Sequence, residues 1–546
     1  MGQAFNLPWI CAALRTKRRF VFLEADFRGI TRMRTLYWVL STEYEVQPGV
    51  VCPFDPTSDL RSPTSPMHSP LVVLGGGPGG YAAAFLAADE GLEVTLVEAD
   101  PRIGGTCLLR GCIPSKALLH VARVIAEVDE LRHEWGVEYA NPKIAIDKVR
   151  ARKEKIISTL SGGLKQLAKR RNVKLITARG VFENSTTLRL EGEDSSIPDD
   201  KALTYDHCIL ATGSVPAMPP AFKIGSDRVM DSTGALELTD LPKSLLVIGG
   251  GYIGLEMGTV YAQLGSQVSV VELLEGLLPG ADRDLVKPLH KRLSTLFGER
   301  IFLNTKVGSL GVVGDKVEVA FEGPGKFGTE QYDRVLVSVG RRPNSRGFGL
   351  ENTQVQLDQR GFAKVDEQLR TADPHILAIG DVAGEPMLAH KATHEGRIAA
   401  EVVLGKPATF DKLAIPAVVF TDPEIAWAGL TEEQAKQDGR RYEAAVYPWG
   451  ASGRAIAIGR TDGLTKILVD PDTERVLGVG IVGPGAGELI AEAVLAIEMG
   501  CEVTDLAQTI HPHPTLRETV MNAAETFFGT ATEIYKPKRK PAAASS

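Results

Sequence analysis

Cys107 and Cys112 lie five positions apart in GGTCLLRGCIPSKALL, whereas the cysteines at 11, 52, 208 and 501 are isolated in sequence. Six cysteines spread through 546 residues make no disulfide scaffold and suit a reducing compartment with one specialised pair. A structural disulfide here would stabilise little, because the loop it closes is so short. The chemistry open to two neighbouring thiols is exchange: a thiolate attacks a disulfide sulfur, and electrons move as a pair. The apolar spacing from Ile113 onward predicts a helix, with Pro114 at an early position that tolerates it. A cysteine at a helix N-terminus ionises readily because the dipole favours the thiolate. Lys116, one turn later, adds positive charge. Residues five apart on an ideal helix are about 8–9 Å apart between Cα atoms, whereas a disulfide needs roughly 4.4–6.8 Å. For the two to bond, the helix must start irregularly between them, and Gly111 permits that.

A second group able to do chemistry lies near the C-terminal end, in HPHPTLRE from His511 to Glu518. A carboxylate such as Glu518 orients an imidazole and raises its basicity, so His513 could take a thiol proton near neutral pH. His511 is the alternative base. The bland alternative is a surface histidine without a role.

The elements that must position these groups come in two copies. LVVLGGGPGGYAAAFLAADEGLEVTLVE, Leu71 to Glu98, fits strand–turn–helix–strand, with Gly75, Gly77 and Gly80 as the glycines of G-x-G-x-x-G. Amides at the helix N-terminus would hold a pyrophosphate, and Glu98 is placed to bind a ribose hydroxyl. SLLVIGGGYIGLEMGTVYAQLGSQVSVVE, Ser244 to Glu272, repeats the pattern with Gly249, Gly251 and Gly254. Two units imply two dinucleotides. Glu272 would accept bonds from a free 2′-hydroxyl and repel a 2′-phosphate, so the second site favours NAD over NADP. ILATGS (Ile209–Ser214) and VLVSVGRRPN (Val335–Asn344) read as sheet returns below a nucleotide. In ILAIGDV, Asp381 follows a strand and a glycine and could accept from a sugar-like hydroxyl.

The rest is an ordinary globular chain, 44% hydrophobic and 24% charged. A net charge of −7 argues against nucleic-acid binding as the main business, and no apolar stretch approaches the about 20 residues of a membrane span. In residues 1–66, LPWICAAL precedes RTKRR, the wrong order for a secretory signal, and Glu24, Asp26, Glu43 and Glu45 weaken a mitochondrial transit reading. This leader is expected to be no functional domain, with Met67 a candidate start and residues 53–70 a linker. Lys536–Lys540 and PAAASS read as a solvated tail.

Together these residues resemble the flavoprotein disulfide reductases (class I pyridine nucleotide-disulfide oxidoreductases), and among them the dihydrolipoamide dehydrogenase branch. GGTCLLRGCIPSKALL is similar to the family's redox segment, and IPAVVFTDPEIAWAGLTE (Ile415–Glu432) looks like the opening of its interface domain. One departure is Leu109–Arg110, where the family more often has Asn before a small or apolar residue. The resemblance implies an α/β chain of two Rossmann-like dinucleotide-binding domains plus an α+β C-terminal dimerisation domain. The implied division is an FAD-binding domain at 67–213, an NAD-binding domain at 214–343, a central domain completing the FAD site at 344–413, an interface domain at 414–535 and a basic flexible tail at 536–546.

Toward FAD the resemblance implies Gly75, Gly77, Gly80, Glu98, Lys116, Gly180, Thr212, Gly213, Ser214, Asp381, Met387, Leu388, Ala389 and His390. Toward NAD it implies Gly249, Gly251, Gly254, Glu272, Val307 and Gly340, with Tyr252 covering the flavin and Glu256 pairing with Lys116. It implies no metal. Cys107 and Cys112 would form the redox disulfide, with Cys107 meeting substrate and Cys112 meeting flavin. His513 and Glu518 would reach the disulfide of the other subunit of a homodimer, leaving a monomer inactive. The implied reaction oxidises dihydrolipoamide to lipoamide and reduces NAD⁺. The enzyme would serve 2-oxoacid dehydrogenase or glycine cleavage complexes through their lipoyl domains, in the cytoplasm. Among rivals, glutathione-type reductases usually carry basic residues for NADPH where this chain has Glu272. Mercuric reductases carry a cysteine pair near the C-terminus, where Cys501 is alone. A non-catalytic flavoprotein subunit predicts a lost cysteine or base, and all are present.

Overall fold

The computed structural model describes residues 67–535, so the expectations for 1–66 and 536–546 lie outside the described residues. The first sheet is built on Met67–Leu74, whose run Leu71–Leu74 is almost wholly buried. Such a continuous apolar run suits a parallel strand covered on both faces. It pairs in parallel with Val94–Glu98 on one side and Ala202–Leu210 on the other. Lys174–Thr177 extends the sheet beyond Val94–Glu98. The strand Ala202–Leu210 divides its other edge. Its start pairs with the antiparallel ribbon Arg179–Asn184/Thr187–Glu191, and its end pairs in parallel with Ile376–Ala378. The sequence motifs ILATGS and ILAIGDV are therefore adjacent strand ends of one sheet. Helix α1 (Pro78–Asp89) follows the first glycine loop, with Gly77 as N-cap and Pro78 at the first helical position.

The second sheet repeats this plan. Ser244–Ile248 lies between Gln267–Val271 and Arg334–Val337, with Ile301–Phe302 and Val229–Met230 at the edges, all parallel. A three-stranded antiparallel sheet over Lys306–Tyr332 packs on it through Val317, Val319 and Phe321. The chain passes from the first unit to the second at Ser214–Pro216 and returns at Arg341–Pro343, and these two passages pair as an antiparallel ribbon.

The C-terminal part is a five-stranded antiparallel sheet with helices Ala486–Glu498, Val503–Gln508 and Glu518–Phe528. Its core centres on Trp449 and Tyr447. It is tied to the second unit by Lys466, which is 1% exposed and meets Asp282, Asp284 and Glu432 at 2.7–2.9 Å. Those three acids could form a cation cluster, and the lysine ammonium is the cation they hold. The expected architecture, two dinucleotide-binding units followed by an α+β unit, is the one observed. Among the described residues no helix is long and apolar enough to cross a membrane.

Candidate active site

A cavity of about 570 Å³ runs from the first glycine loop to the two cysteines. At one end lie Gly75, Gly77, Gly80 and Glu98. Gly80 must be glycine, because a Cβ there would sit 1.8 Å from the Gly75 carbonyl oxygen. Glu98 accepts from Gly76 N at 2.6 Å and Asp100 N at 2.9 Å, so the acid that faces the ribose position also shapes the loop.

The redox segment closes over this loop. Gly104 N donates to Gly76 O at 2.9 Å, and helix α2 (Gly105–Arg110) then carries Cys107. The long helix α3 (Cys112–Glu134) starts at Cys112. The break expected between the cysteines is present at Gly111, with φ −149° and ψ −113°. A Cβ there would lie 2.9 Å from the Thr106 carbonyl oxygen. The two cysteines face each other as unbonded thiols, the reduced form of the pair. Cys107 donates a hydrogen bond to Cys112, and Cys112 opens on to the cavity. The Cys112 thiol is lowered to about 7, chiefly by that hydrogen bond and then by the Lys116 charge, against the opposing effect of burial. Cys107, which gives the hydrogen bond and is itself desolvated, is pushed up. Of the two thiols, Cys112 is therefore the one that ionises more readily.

Lys116 meets both oxygens of Glu256 at 2.9 and 3.1 Å, the pairing expected. The Glu256 carboxylate, 3% exposed, also accepts from Phe420 N at 3.0 Å. The Phe420 ring lies 4.4 Å from the Lys116 ammonium. Gly180, Thr212, Gly213, Ser214, Asp381, Met387 and Ala389 line the cavity as expected. Leu388 and His390 do not: Leu388 is the N-cap of helix Ala389–Val403, and His390 Nε2 turns to Pro416 O at 2.8 Å.

In the second unit, Tyr252 and Glu256 reach the cavity from helix Tyr252–Gln263. Glu272 accepts from Gly250 N at 2.6 Å and Leu274 N at 2.9 Å. Gly249, Gly251 and Gly254 form its loop, and Gly340 lies in the turn that precedes Arg341–Pro343. The Val307 side chain is buried in the core beside Phe321, leaving its backbone for a ligand.

His513 Nδ1 meets Glu518 Oε1 at 2.8 Å, and Glu518 Oε2 accepts from Thr515 N at 2.7 Å. The His513 side chain is 78% exposed, so with the proton on Nδ1 its Nε2 is free to act as base. His511 is only 4% exposed, with Nε2 on Glu492 and Nδ1 on the Thr509 carbonyl, which leaves no free ring nitrogen. Neither His513 nor Glu518 lines the cavity of its own chain.

The residues present fit FAD in the first unit: a helix N-terminus for phosphate, Glu98 for ribose, Asp381 for a sugar-chain hydroxyl and Cys112 with Lys116 at the far end. Sequence reasoning missed Phe420, Arg341 and the Arg110–Asp100 ion pair, all close to the same cavity. Only Arg110 left a signal, as the departure in the redox segment. The other contacts join segments far apart in sequence.

Comparison with known proteins agrees with this geometry. Residues 69–396 match the pyridine nucleotide-disulphide oxidoreductase family, and residues 415–524 match its dimerisation domain. The chain is 49% identical over 471 residues to the dihydrolipoyl dehydrogenase of Vibrio cholerae, covering 86% of this chain and 98% of that protein. It is 43% identical over 470 residues to the dihydrolipoyl dehydrogenase of Geobacillus stearothermophilus, with 86% and 98% covered. Among solved structures, LpdA from Mycobacterium tuberculosis matches with TM-score 0.76 and 29% identity over 84% of this chain and 99% of the other. The HOCl-induced flavoprotein disulfide reductase RclA from Escherichia coli matches with TM-score 0.72 and 28% identity, covering 82% and 98%. With its two glycine loops, its cysteine pair and these relatives in agreement, the chain belongs to the pyridine nucleotide-disulphide oxidoreductase family and uses FAD and NAD(H).

Proposed function

We propose that this chain is a dihydrolipoyl dehydrogenase, oxidising dihydrolipoamide to lipoamide with NAD⁺. The observation that supports it most is the cysteine pair, Cys107 and Cys112, set beside the Lys116–Glu256 ion pair at the end of a cavity that both dinucleotide units border. His513 Nε2 takes a proton from a substrate thiol, and Glu518 holds the imidazolium that results. Starting from the oxidised pair, the substrate thiolate attacks Cys107, forming a mixed disulfide and releasing Cys112 as thiolate. The second substrate thiolate attacks the mixed disulfide, closing the lipoamide ring and releasing Cys107. Lys116 stabilises the Cys112 thiolate throughout. Bound FAD supplies the two-electron relay between the cysteine pair and NAD⁺.

His513 is exposed and outside its own cavity, which supports a homodimer in which it serves the partner's cysteines. The match to a dimerisation domain supports the same reading. The natural substrates would be lipoyl domains of 2-oxoacid dehydrogenase or glycine cleavage complexes, and six cysteines spread through the chain suit the cytoplasm. We read 67–213 as the FAD domain, 214–343 as the NAD domain, 344–413 as the part completing the FAD site and 414–535 as the interface domain.

The test is a steady-state comparison of dihydrolipoamide plus NAD⁺ with glutathione disulfide plus NADPH. Only the first pair should turn over. His513→Gln should lower kcat by about 10²–10⁴-fold, and His511→Gln far less. Absence of NAD⁺ reduction by the unaltered protein would sink the proposal.

A further inference from the structure

The ribbon where the chain crosses between its two nucleotide units holds a charged relay. Arg341 Nε donates to Ser214 Oγ and its Nη2 donates to Ser214 O, both at 2.8 Å. The Ser214 hydroxyl has one proton, which it donates to Asp381 Oδ2 at 2.5 Å. The three residues lie on the two strands of the ribbon and on the turn Gly380–Val382. That turn is held from behind, where Gly380 N donates to the buried Glu395 at 2.6 Å. Arg341, Ser214, Asp381 and Tyr252 all line the one cavity.

Two other charge pairs in this cavity meet directly, Arg110 with Asp100 and Lys116 with Glu256. Among the described residues Arg341 and Asp381 form no direct ion pair and meet only through the serine. A hydroxyl that accepts from a guanidinium is polarised and donates more strongly to a carboxylate. Asp381 itself lines the cavity. At its other end, Arg341 directly follows Gly340, whose carbonyl accepts from Ala217 N at 3.0 Å.

We propose that Arg341 is a positioning residue for the first nucleotide site. Through Ser214 it sets Asp381 as the anchor for the sugar chain of the first dinucleotide. This rests on the assignment of FAD to the first unit, not on the identity of the thiol substrate.

The test measures FAD release by flavin fluorescence, and the midpoint potential of the bound flavin, in Arg341→Gln, Arg341→Lys and Ser214→Ala. R341Q and S214A should each weaken FAD retention about tenfold, the loss expected for one charge-assisted hydrogen bond. Both should shift the potential, and R341K should recover most of what R341Q loses. Unaltered FAD release and potential in R341Q would overturn the proposal. If R341Q does not fold, S214A, which removes one hydroxyl, carries the same expectation and the same refutation. A protein that takes up FAD but leaves dihydrolipoamide unoxidised would remove the substrate assignment and leave the relay standing.

Discussion

In the first dinucleotide unit Gly76 N donates to Glu98 Oε2 at 2.6 Å, and in the second Gly250 N donates to Glu272 Oε2 at the same distance. The other oxygen of each acid accepts from the residue two positions on, at 2.9 Å in both. The N-caps Gly77 and Gly251 share one extended conformation, with φ −76° and −77°. Loop for loop the units are the same device, and they differ in what surrounds them. The first is enclosed by helix Ala389–Val403, which packs on α1, and by the redox segment tied through Gly104. The second ends in Leu273 and Leu274, 64% and 48% exposed, and from its glycine loop and following helix sends Tyr252, Ile253, Glu256 and Met257 into the cavity. Enclosure slows release, because several packed segments must move before a ligand can leave. On the proposed assignment, the same loop would hold a resident cofactor in one unit and an exchanging cosubstrate in the other.

The largest effect should come where the enclosed unit meets chemistry. Cys112→Ser should lower dihydrolipoamide–NAD⁺ turnover by more than about 10³-fold, with NADH affinity at the open unit unchanged in a binding titration. It should also abolish the long-wavelength absorbance of a thiolate against the flavin; a band that persists would move that role away from Cys112. Next come paired glycine changes. A Cβ at Gly80 would lie 1.8 Å from a carbonyl oxygen, and at Gly254 2.3 Å. Gly80→Ala should therefore yield protein without flavin absorbance. Gly254→Ala should stay yellow and lose NAD⁺ affinity by about tenfold or more, from overpacking of about 1–3 kcal/mol. If both variants lose flavin alike, the resident-versus-exchanging contrast fails.

A smaller contrast follows from the two acids. Glu272→Gln should raise the KM for NAD⁺ by about tenfold, and Glu98→Gln should raise FAD dissociation similarly, each through one weakened charged hydrogen bond. Cross-effects of equal size would show that the sites are not separable. The smallest effect is a shift in pH. Cys112 titrates at about 7, so its thiolate is present above that pH and lost below it. Lys116→Met removes a charge that lowers this value, and should move the thiolate absorbance titration upward by roughly one unit. A downward shift would mean that Lys116 acts on the pair in some other way.

Much of this was legible because it is local. Each glycine motif runs into its helix and ends on its acid within some thirty residues, and alternating strand and helix patterns place both units in an α/β fold. The helix break at Gly111 followed from the reach of a disulfide and from the one residue between the cysteines able to take an unusual backbone conformation. The His513–Glu518 contact spans five residues, and it too could be read in advance. His390 and Val307 show what that kind of reading leaves open. Both stand near the expected segments, yet the direction of a side chain is decided by packing. His390 turns to a carbonyl of the C-terminal unit, and Val307 fills a core.

By itself, the sequence determined the two nucleotide loops, their acids and the chemistry of the cysteine pair, since those depend on residue type and spacing along one short stretch. Tertiary structure alone decided which unit is enclosed, that Phe420 backs the Lys116–Glu256 pair, that Arg341 reaches Asp381 through Ser214, and that His511 is occupied while His513 is free. These contacts join segments tens to hundreds of residues apart or depend on burial, and neither leaves a periodic mark in the chain.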